Sequence, residues 1–172
     1  THNGCHNVQV YHAAVYSRSH AKVPIFFGTY LNDRISENGE RVKADAYVTT
    51  LALDDFVDFT GLKPHLVKMD IEGAEFEAVT GMLKTIVEAK PHLILETQPA
   101  DTRCLDLLAE KGYRAIDLNS YREIRTSADY PRGVSIRNNL YIHKDRLFEA
   151  PYQPPFSFVE TKTLTQDDFS VM

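Results

Sequence analysis

The sequence predicts an α/β fold with a mixed, mostly parallel sheet, because it contains one clear strand–helix–strand unit. Residues 66–70 and 92–96 are short apolar runs, and each ends in an acidic residue, Asp70 or Glu96. Between them apolar residues recur at three- and four-residue spacing, which is typical of one face of a helix. Two strands joined in this way are expected to lie side by side, in parallel, at the centre of a sheet.

Three further segments of the N-terminal third have strand-like patterns. They are residues 7–15, residues 23–27 and residues 47–51. The polar stretch 29–46 contains an Asn-Gly turn signal, which indicates either a solvated hairpin or a loop that faces a substrate.

A short helix is predicted to begin at Asp54 or Asp55. Gly61 suits the left-handed residue that ends a helix, and Pro64 prevents the helix from continuing. A single longer helix is predicted from about residue 74 to residue 90, where Pro91 stops it.

The C-terminal half is predicted to contain a helix capped by Asp101 and ending at Gly112, followed by strands at 113–118 and 139–143. The stretch 119–137 is predicted to be a long basic loop, which would serve as a lid or as a mobile connection. Its arginines are Arg122, Arg125, Arg132 and Arg137.

Length and composition indicate one globular domain. The 172 residues are divided into a domain at 1–146 and a Pro- and aromatic-rich tail at 147–172. A net charge of −5 argues against a nucleic-acid partner. No apolar run approaches the roughly 20 residues that span a bilayer. Cys5 and Cys104 are widely separated, so a zinc site is not expected. Two such cysteines suit a reducing, cytoplasmic location.

The turn after the central strand carries the candidate chemistry. Three acidic residues, Asp70, Glu72 and Glu75, are expected to converge there, at the carboxyl end of a strand where α/β proteins bind ligands. Asp70 could act as a general base or orient a cofactor. With Glu72 and Glu96 it could instead hold Mg²⁺. For Glu75 and Glu96 a substrate-binding and a structural role both stay open, since acids near a helix N-terminus are stabilising in themselves.

Lys68 is predicted to share a strand face with Asp70. A lysine in a central strand is costly to bury without a partner, and Glu96 and Glu72 are the available ones. Either Lys68 forms a buried ion pair that fixes the strand ends, or its charge tunes Asp70 or holds substrate.

Three blocks of sequence resemble the FkbM family of S-adenosylmethionine-dependent methyltransferases. They are residues 68–75 (KMDIEGAE), residues 50–56 (TLALDDF) and residues 90–96 (KPHLILE), and the resemblance covers roughly residues 5 to 145. It implies a Rossmann-like class I methyltransferase fold, S-adenosylmethionine as cofactor, and O-methylation of a small-molecule or glycan hydroxyl. From the residues discussed above, Asp70 and Lys68 are assigned to catalysis, and Asp70 and Glu72 to cofactor binding.

The sequence departs from the family in one respect. No G-x-G occurs, whereas the family carries a Gly-rich cofactor loop on its first strand. The chain therefore resembles the C-terminal two-thirds of a methyltransferase, truncated at the N-terminus, and residues 1–172 alone are expected to bind S-adenosylmethionine weakly or not at all.

Two alternative functions remain at this stage. One is a non-catalytic binding or assembly module derived from a methyltransferase, and the other is a Mg²⁺-dependent hydrolase that uses Asp70 and Glu72. The sequence does not give the oligomeric state, and a homo-oligomer stays open.

Overall fold

Two β-sheets and four α-helices make up the part of the chain that the computed structural model describes, which is residues 7–26, 34–35, 44–133 and 136–146. The helices are α1 Leu53–Thr60, α2 Glu75–Thr80, α3 Leu83–Glu88 and α4 Arg103–Glu110. The strands are β1 Ala14–Val15, β2 Lys22–Phe26, β3 Arg34–Ile35, β4 Ala46–Leu51, β5 Leu66–Met69, β6 His92–Thr97, β7 Tyr113–Asp117, β8 Arg122–Ile124 and β9 Arg137–His143. The tail 147–172, Cys5 and most of 29–46 lie outside the described residues.

The larger sheet has the order β5-β6-β9-β7-β8. Its β5 and β6 strands pair in parallel, with Leu66 opposite His92 and Met69 opposite Leu95, which confirms that the two predicted strands are adjacent. Their predicted position at the sheet centre is wrong for β5, which is an edge strand among the described residues. Leu66 is accordingly 56% exposed.

The expectation of a mostly parallel sheet is also wrong. Among the described strands, β5–β6 and β1–β4 are parallel, whereas the other five pairs are antiparallel. The smaller sheet, β1-β4-β2-β3, contributes two antiparallel pairs. In the larger sheet β9 enters between β6 and β7 and opposes both of them.

The stretch 119–137 is largely structured rather than a long loop. Residues 122–124 pair with β7 as the hairpin strand β8, and Ser127–Asp129 form a 3₁₀ turn closed by a Thr126 and Asp129 capping box. Of the four arginines predicted for a lid, Arg125 pairs with Glu123, and Arg122 and Arg137 lie in strands β8 and β9.

The predicted helix 74–90 is broken into α2 and α3 at Gly81. An added Cβ on Gly81 would lie 2.1 Å from the carbonyl oxygen of Tyr16, so only glycine lets the two backbones approach this closely. The Gly81 carbonyl also accepts a hydrogen bond from the backbone N–H of Asp54 at 2.9 Å. The break therefore joins three segments that are far apart in sequence.

Several other boundaries differ from the pattern-based prediction. Within 7–15 only Ala14–Val15 is a strand. The residues before it are mostly exposed, and their backbone pairs with no described strand. The N-cap of α4 is Thr102 rather than Asp101, although the Asp101 carboxylate accepts the Arg103 N–H at 3.1 Å. The end of α1 is as predicted, with Gly61 at φ 69° and its N–H donated to the Val57 carbonyl.

The hydrophobic core lies between the larger sheet and helices α2, α3 and α4. Its centre consists of fully buried side chains, among them Met82, Ile86, Leu93, Leu95 and Leu108. Cys104 is a buried free thiol in the same cluster. None of the helices in the described ranges has the length and hydropathy required to cross a bilayer.

Asp54 caps the start of α3 from the neighbouring helix. Its carboxylate accepts the backbone N–H groups of Lys84 and Thr85 at 2.9 and 2.8 Å, and the Thr85 hydroxyl at 2.7 Å. Asp58, on the same helix, forms only an exposed ion pair with the Lys84 ammonium at 2.6 Å.

We expect Asp54→Ala to lower the free energy of unfolding by about 1–2 kcal/mol, since it leaves helix N–H groups without an acceptor. The matched control Asp58→Ala should cost less than about 1 kcal/mol, because exposed ion pairs contribute little. Urea unfolding followed by circular dichroism measures both. Equal losses for the two variants would contradict the capping role.

Candidate functional site

The turn between β5 and α2 has an unusual backbone. Glu72 has φ 54° and Gly73 has φ 96°, so two successive residues lie in the left-handed region. A side chain added to Gly73 would meet no atom within 4 Å, so glycine is needed there for its positive φ and not for lack of space. A non-glycine residue with positive φ is strained, and such strain concentrates at functional sites.

Glu75 holds this turn in place. Its two carboxylate oxygens accept the N–H of Ile71 at 3.2 Å and the N–H of Gly73 at 3.0 Å, and the residue is 9% exposed. A buried carboxylate in the first turn of α2 also interacts favourably with the helix dipole. Of the two roles open for Glu75, the structure therefore supports the structural one.

The acids that do converge are Asp70, Glu72 and Glu96. One carboxylate oxygen from each lies within 4.8 Å of the other two. The parallel register of β5 and β6 produces this arrangement, because Met69 is level with Leu95 and the next residue of each strand is acidic. These three residues are the set that the sequence offered for Mg²⁺, whereas Glu75, which was also expected to converge on the turn, is not in the cluster. Oxygens at this separation could hold a divalent cation.

The electrostatic environments of Asp70 and Glu96 differ. The hydrogen bond from Lys68 lowers the pKa of Asp70 below its usual value. Burial, and then the charges of Asp70 and Glu72, raise the pKa of Glu96. Paired carboxyl groups with pKa values moved in opposite directions are suited to separate acid and base roles.

Lys68 is half exposed rather than buried. It shares a strand face with Asp70, as predicted, and its ammonium donates to the Asp70 carboxylate at 2.7 Å, with 50% and 47% of the two side chains accessible. The predicted buried ion pair with Glu96 or Glu72 is wrong, because β5 lies at the edge of the described sheet. An exposed pair of this kind adds little stability, so its main effect is on the charge of Asp70.

A cavity of about 180 Å³ opens beside the acidic cluster, between the end of β6 and the starts of α2 and α4. Glu72 and Glu96 form part of its wall. Sequence reasoning missed Thr97, Gln98, Cys104 and Ile136, which also line it. The sequence could have indicated Thr97 and Gln98 as site residues, because they directly follow Glu96 at the end of a predicted strand.

Behind Thr97 lies a network of buried polar groups. The Asn139 amide donates to the Thr97 hydroxyl oxygen at 2.7 Å and to the Tyr130 hydroxyl oxygen at 2.6 Å. The Thr97 hydroxyl thus belongs to a buried network with Asn139 and Tyr130, at the edge of a cavity wall that is otherwise rich in carboxylates.

Comparison with known proteins gives two matches. A sequence model of the family described as "Methyltransferase FkbM domain" matches residues 3–115, well over half of the chain. The crystal structure of a methyltransferase FkbM from Methylobacillus flagellatus KT is similar, with 24% sequence identity and a TM-score of 0.36 over 56% of this chain. The chain spans 24% of the length of that protein. No curated protein matches.

The pKa of Glu96 has a consequence for stability. Because the pKa of Glu96 is raised in the folded state, protonated Glu96 contributes favourably to the free energy of unfolding. This contribution is fully present below the unfolded pKa near 4.5, and it is lost as the pH rises through the pKa of the folded state. We expect Glu96→Gln, which stays neutral, to raise the melting temperature at pH 7, with a gain that shrinks at pH 4. The control Glu75→Gln should lower it, since that carboxylate holds the turn. Thermal melts at both pH values measure this, and an equal loss from the two variants would contradict it.

Proposed function

The chain belongs to the FkbM methyltransferase domain family, and from that membership we propose that the full-length protein transfers the methyl group of S-adenosylmethionine to a hydroxyl oxygen of a small molecule or glycan. The observation that carries the proposal is the carboxylate pair Asp70 and Glu96, with pKa values moved in opposite directions beside a cavity. A hydroxyl acceptor needs a base that stays ionised, and Asp70 has that property.

The residues at the turn suit a cofactor with a positive charge. Glu72 lines the cavity and forms no ion pair with a described residue. This placement of the Glu72 side chain requires the strained, positive φ of its backbone. Asp70 and Glu72 would hold and orient S-adenosylmethionine, which when bound supplies a methyl group already activated by its sulfonium.

Asp70 would accept the proton of the acceptor hydroxyl. The Asp70 carboxylate would take up the hydroxyl proton as the acceptor oxygen gains the methyl group, and S-adenosylmethionine would supply that group and leave as the neutral thioether. The remaining work of the protein is alignment of the reacting groups and exclusion of water. Lys68 acts through Asp70 and is a positioning residue, because its hydrogen bond keeps the carboxylate ionised.

Neither alternative is favoured by the comparisons. A family match favours a methyltransferase over an assembly module or a hydrolase, and it does not imply Mg²⁺ at Asp70, Glu72 and Glu96. We propose a cytoplasmic location on the weaker ground that Cys104 is a free buried thiol.

Asp70→Asn in the full-length protein should lower turnover by ~10²–10⁴-fold, the usual loss for a general base, while the fold survives the nearly isosteric change. Val79→Ala should have the opposite profile. Val79 is fully buried in α2, so a cavity there costs roughly 1–3 kcal/mol of stability while the folded molecules stay active. Turnover per folded molecule, with thermal melts, measures both. A folded, active Asp70→Asn protein would contradict the catalytic role, and failure to fold would favour a structural one.

Lys68→Met should move the acidic limb of the pH profile of kcat/KM to higher pH. The Lys68 hydrogen bond lowers the pKa of Asp70, so its removal raises that pKa, and the ionised base is then lost at a higher pH as the solution is acidified. Lys84→Met is the matched control, because Lys84 forms a similarly exposed pair with Asp58. An unmoved limb in Lys68→Met would show that Asp70 is not the titrating group.

A further inference from the structure

A second cavity, of about 310 Å³, lies near the start of β5, at the opposite end of that strand from the acidic cluster. It is formed between α1, α3 and residues 62–65, and it shares no lining residue with the cavity beside the cluster. Cavities of this size with mainly apolar walls and a few polar groups are typical of small-molecule sites. The walls of this apolar cavity include Leu53, Phe56, Val57, Leu62, Val67 and Met82.

The apolar face of α1 forms one wall and is left incompletely buried. Leu53, Phe56 and Val57 recur at helical spacing and so share one face. Each of them is only half-buried, and α1 contains no fully buried residue. Met82, at the floor of the cavity, is by contrast fully buried in the core. An apolar group that filled the cavity would therefore remove further apolar surface of α1 from water, which is favourable.

The polar part of the apolar cavity is positively charged. Lys63 and His65 line it, and none of its lining residues is a carboxylate. Within the described ranges, neither Lys63 nor His65 forms an ion pair. The Lys63 side chain is exposed, so its ammonium is available to an anionic group at the mouth of the cavity.

The three acidic residues of α1 are engaged elsewhere. Asp54 accepts the N–H groups at the start of α3. Asp55 accepts the Ser19 hydroxyl, and Asp58 pairs with the Lys84 ammonium. The helix beside Lys63 thus directs its carboxylates to other partners, and the charge of Lys63 is complementary to an anionic ligand.

The dimensions of the apolar cavity fit a small molecule better than a protein partner. Ten residues line it, whereas each side of a stable protein–protein interface contributes roughly 20–30 residues. A ligand with one apolar chain and one anionic end matches both the walls and the charge.

We propose that the apolar cavity binds a free alkyl carboxylate of medium chain length. The chain lies between α1 and α3, and the carboxylate lies at Lys63. This ligand is additional to the cofactor and the methyl acceptor, because its site and the acidic cluster are at opposite ends of β5. The inference is thus independent of the proposed methyl transfer.

Isothermal titration calorimetry of the full-length protein with sodium hexanoate, octanoate and decanoate, all below their micellar concentrations, tests the proposal. Each added methylene should tighten binding about fourfold until the chain fills the cavity. Octanol has the same chain without the charge and should bind more weakly than octanoate. No binding, binding that does not depend on chain length, or equal affinity for octanol and octanoate would overturn the proposal.

Two substitutions on α1 locate the binding. Val57→Glu places a carboxylate in the apolar wall and should abolish octanoate binding. Phe59→Glu is the matched control, because Phe59 is on the same helix but is 89% exposed and outside the cavity; it should leave the affinity unchanged. Equal losses in both variants would show that octanoate binds elsewhere.

Lys63→Gln provides a test that does not depend on the folding of Val57→Glu, because Lys63 is exposed. It should weaken octanoate binding by up to about fivefold, as for an exposed ion pair, and leave octanol binding unchanged. An unchanged affinity for octanoate would contradict the place of the carboxylate. Sedimentation equilibrium covers the other occupant: a dimer that Val57→Glu dissociates would assign the cavity to a second copy of the chain and overturn the proposal.

Discussion

The parallel pairing of β5 with β6 is the constraint on which the site depends. A parallel register places Met69 level with Leu95, and the next residue along each chain segment is an acid, so Asp70 and Glu96 must lie together. Like charges at this distance are unfavourable, and the fold tolerates them because both strands are anchored elsewhere. Leu93 and Leu95 are fully buried in β6, and Met69 is 4% exposed in β5. The core thus supplies the free energy that holds two carboxylates close.

Structural and chemical duties are divided among neighbouring acids. Glu75 has a structural role, because its carboxylate oxygens accept two backbone N–H groups of the turn. Asp70, five residues earlier, is half exposed and pairs with the Lys68 ammonium. The same residue type therefore stabilises in one position and remains available for reaction in the other, and the backbone around Glu72 and Gly73 separates the two.

Sequence patterns predicted the helices, strands and turns that depend on residues close together in the sequence. The strands β5 and β6 and the left-handed Gly61 at the end of α1 all follow from residues within a few positions of one another. The misses have non-local causes. The break at Gly81 depends on the Tyr16 backbone, and the exposure of Lys68 depends on which strands flank β5. Arg137 was noted only as one charge of a basic loop, because its burial follows from the entry of β9 between two other strands. Glu75 was likewise expected in the acidic cluster, but its carboxylate turns back to the Ile71 and Gly73 N–H groups.

The close approach at Gly81 also bears on how the chain reaches this structure. Residues 16, 54 and 81 meet at one point, so the geometry of the segment that follows the reactive turn is set by contacts of long sequence separation. Such contacts form slowly, because each closes a long loop of chain. A protein made from its N-terminus presents residues 16 and 54 before residue 81 leaves the ribosome. The surface against which Gly81 docks is therefore synthesised first, and the order of synthesis matches the order in which these contacts are needed.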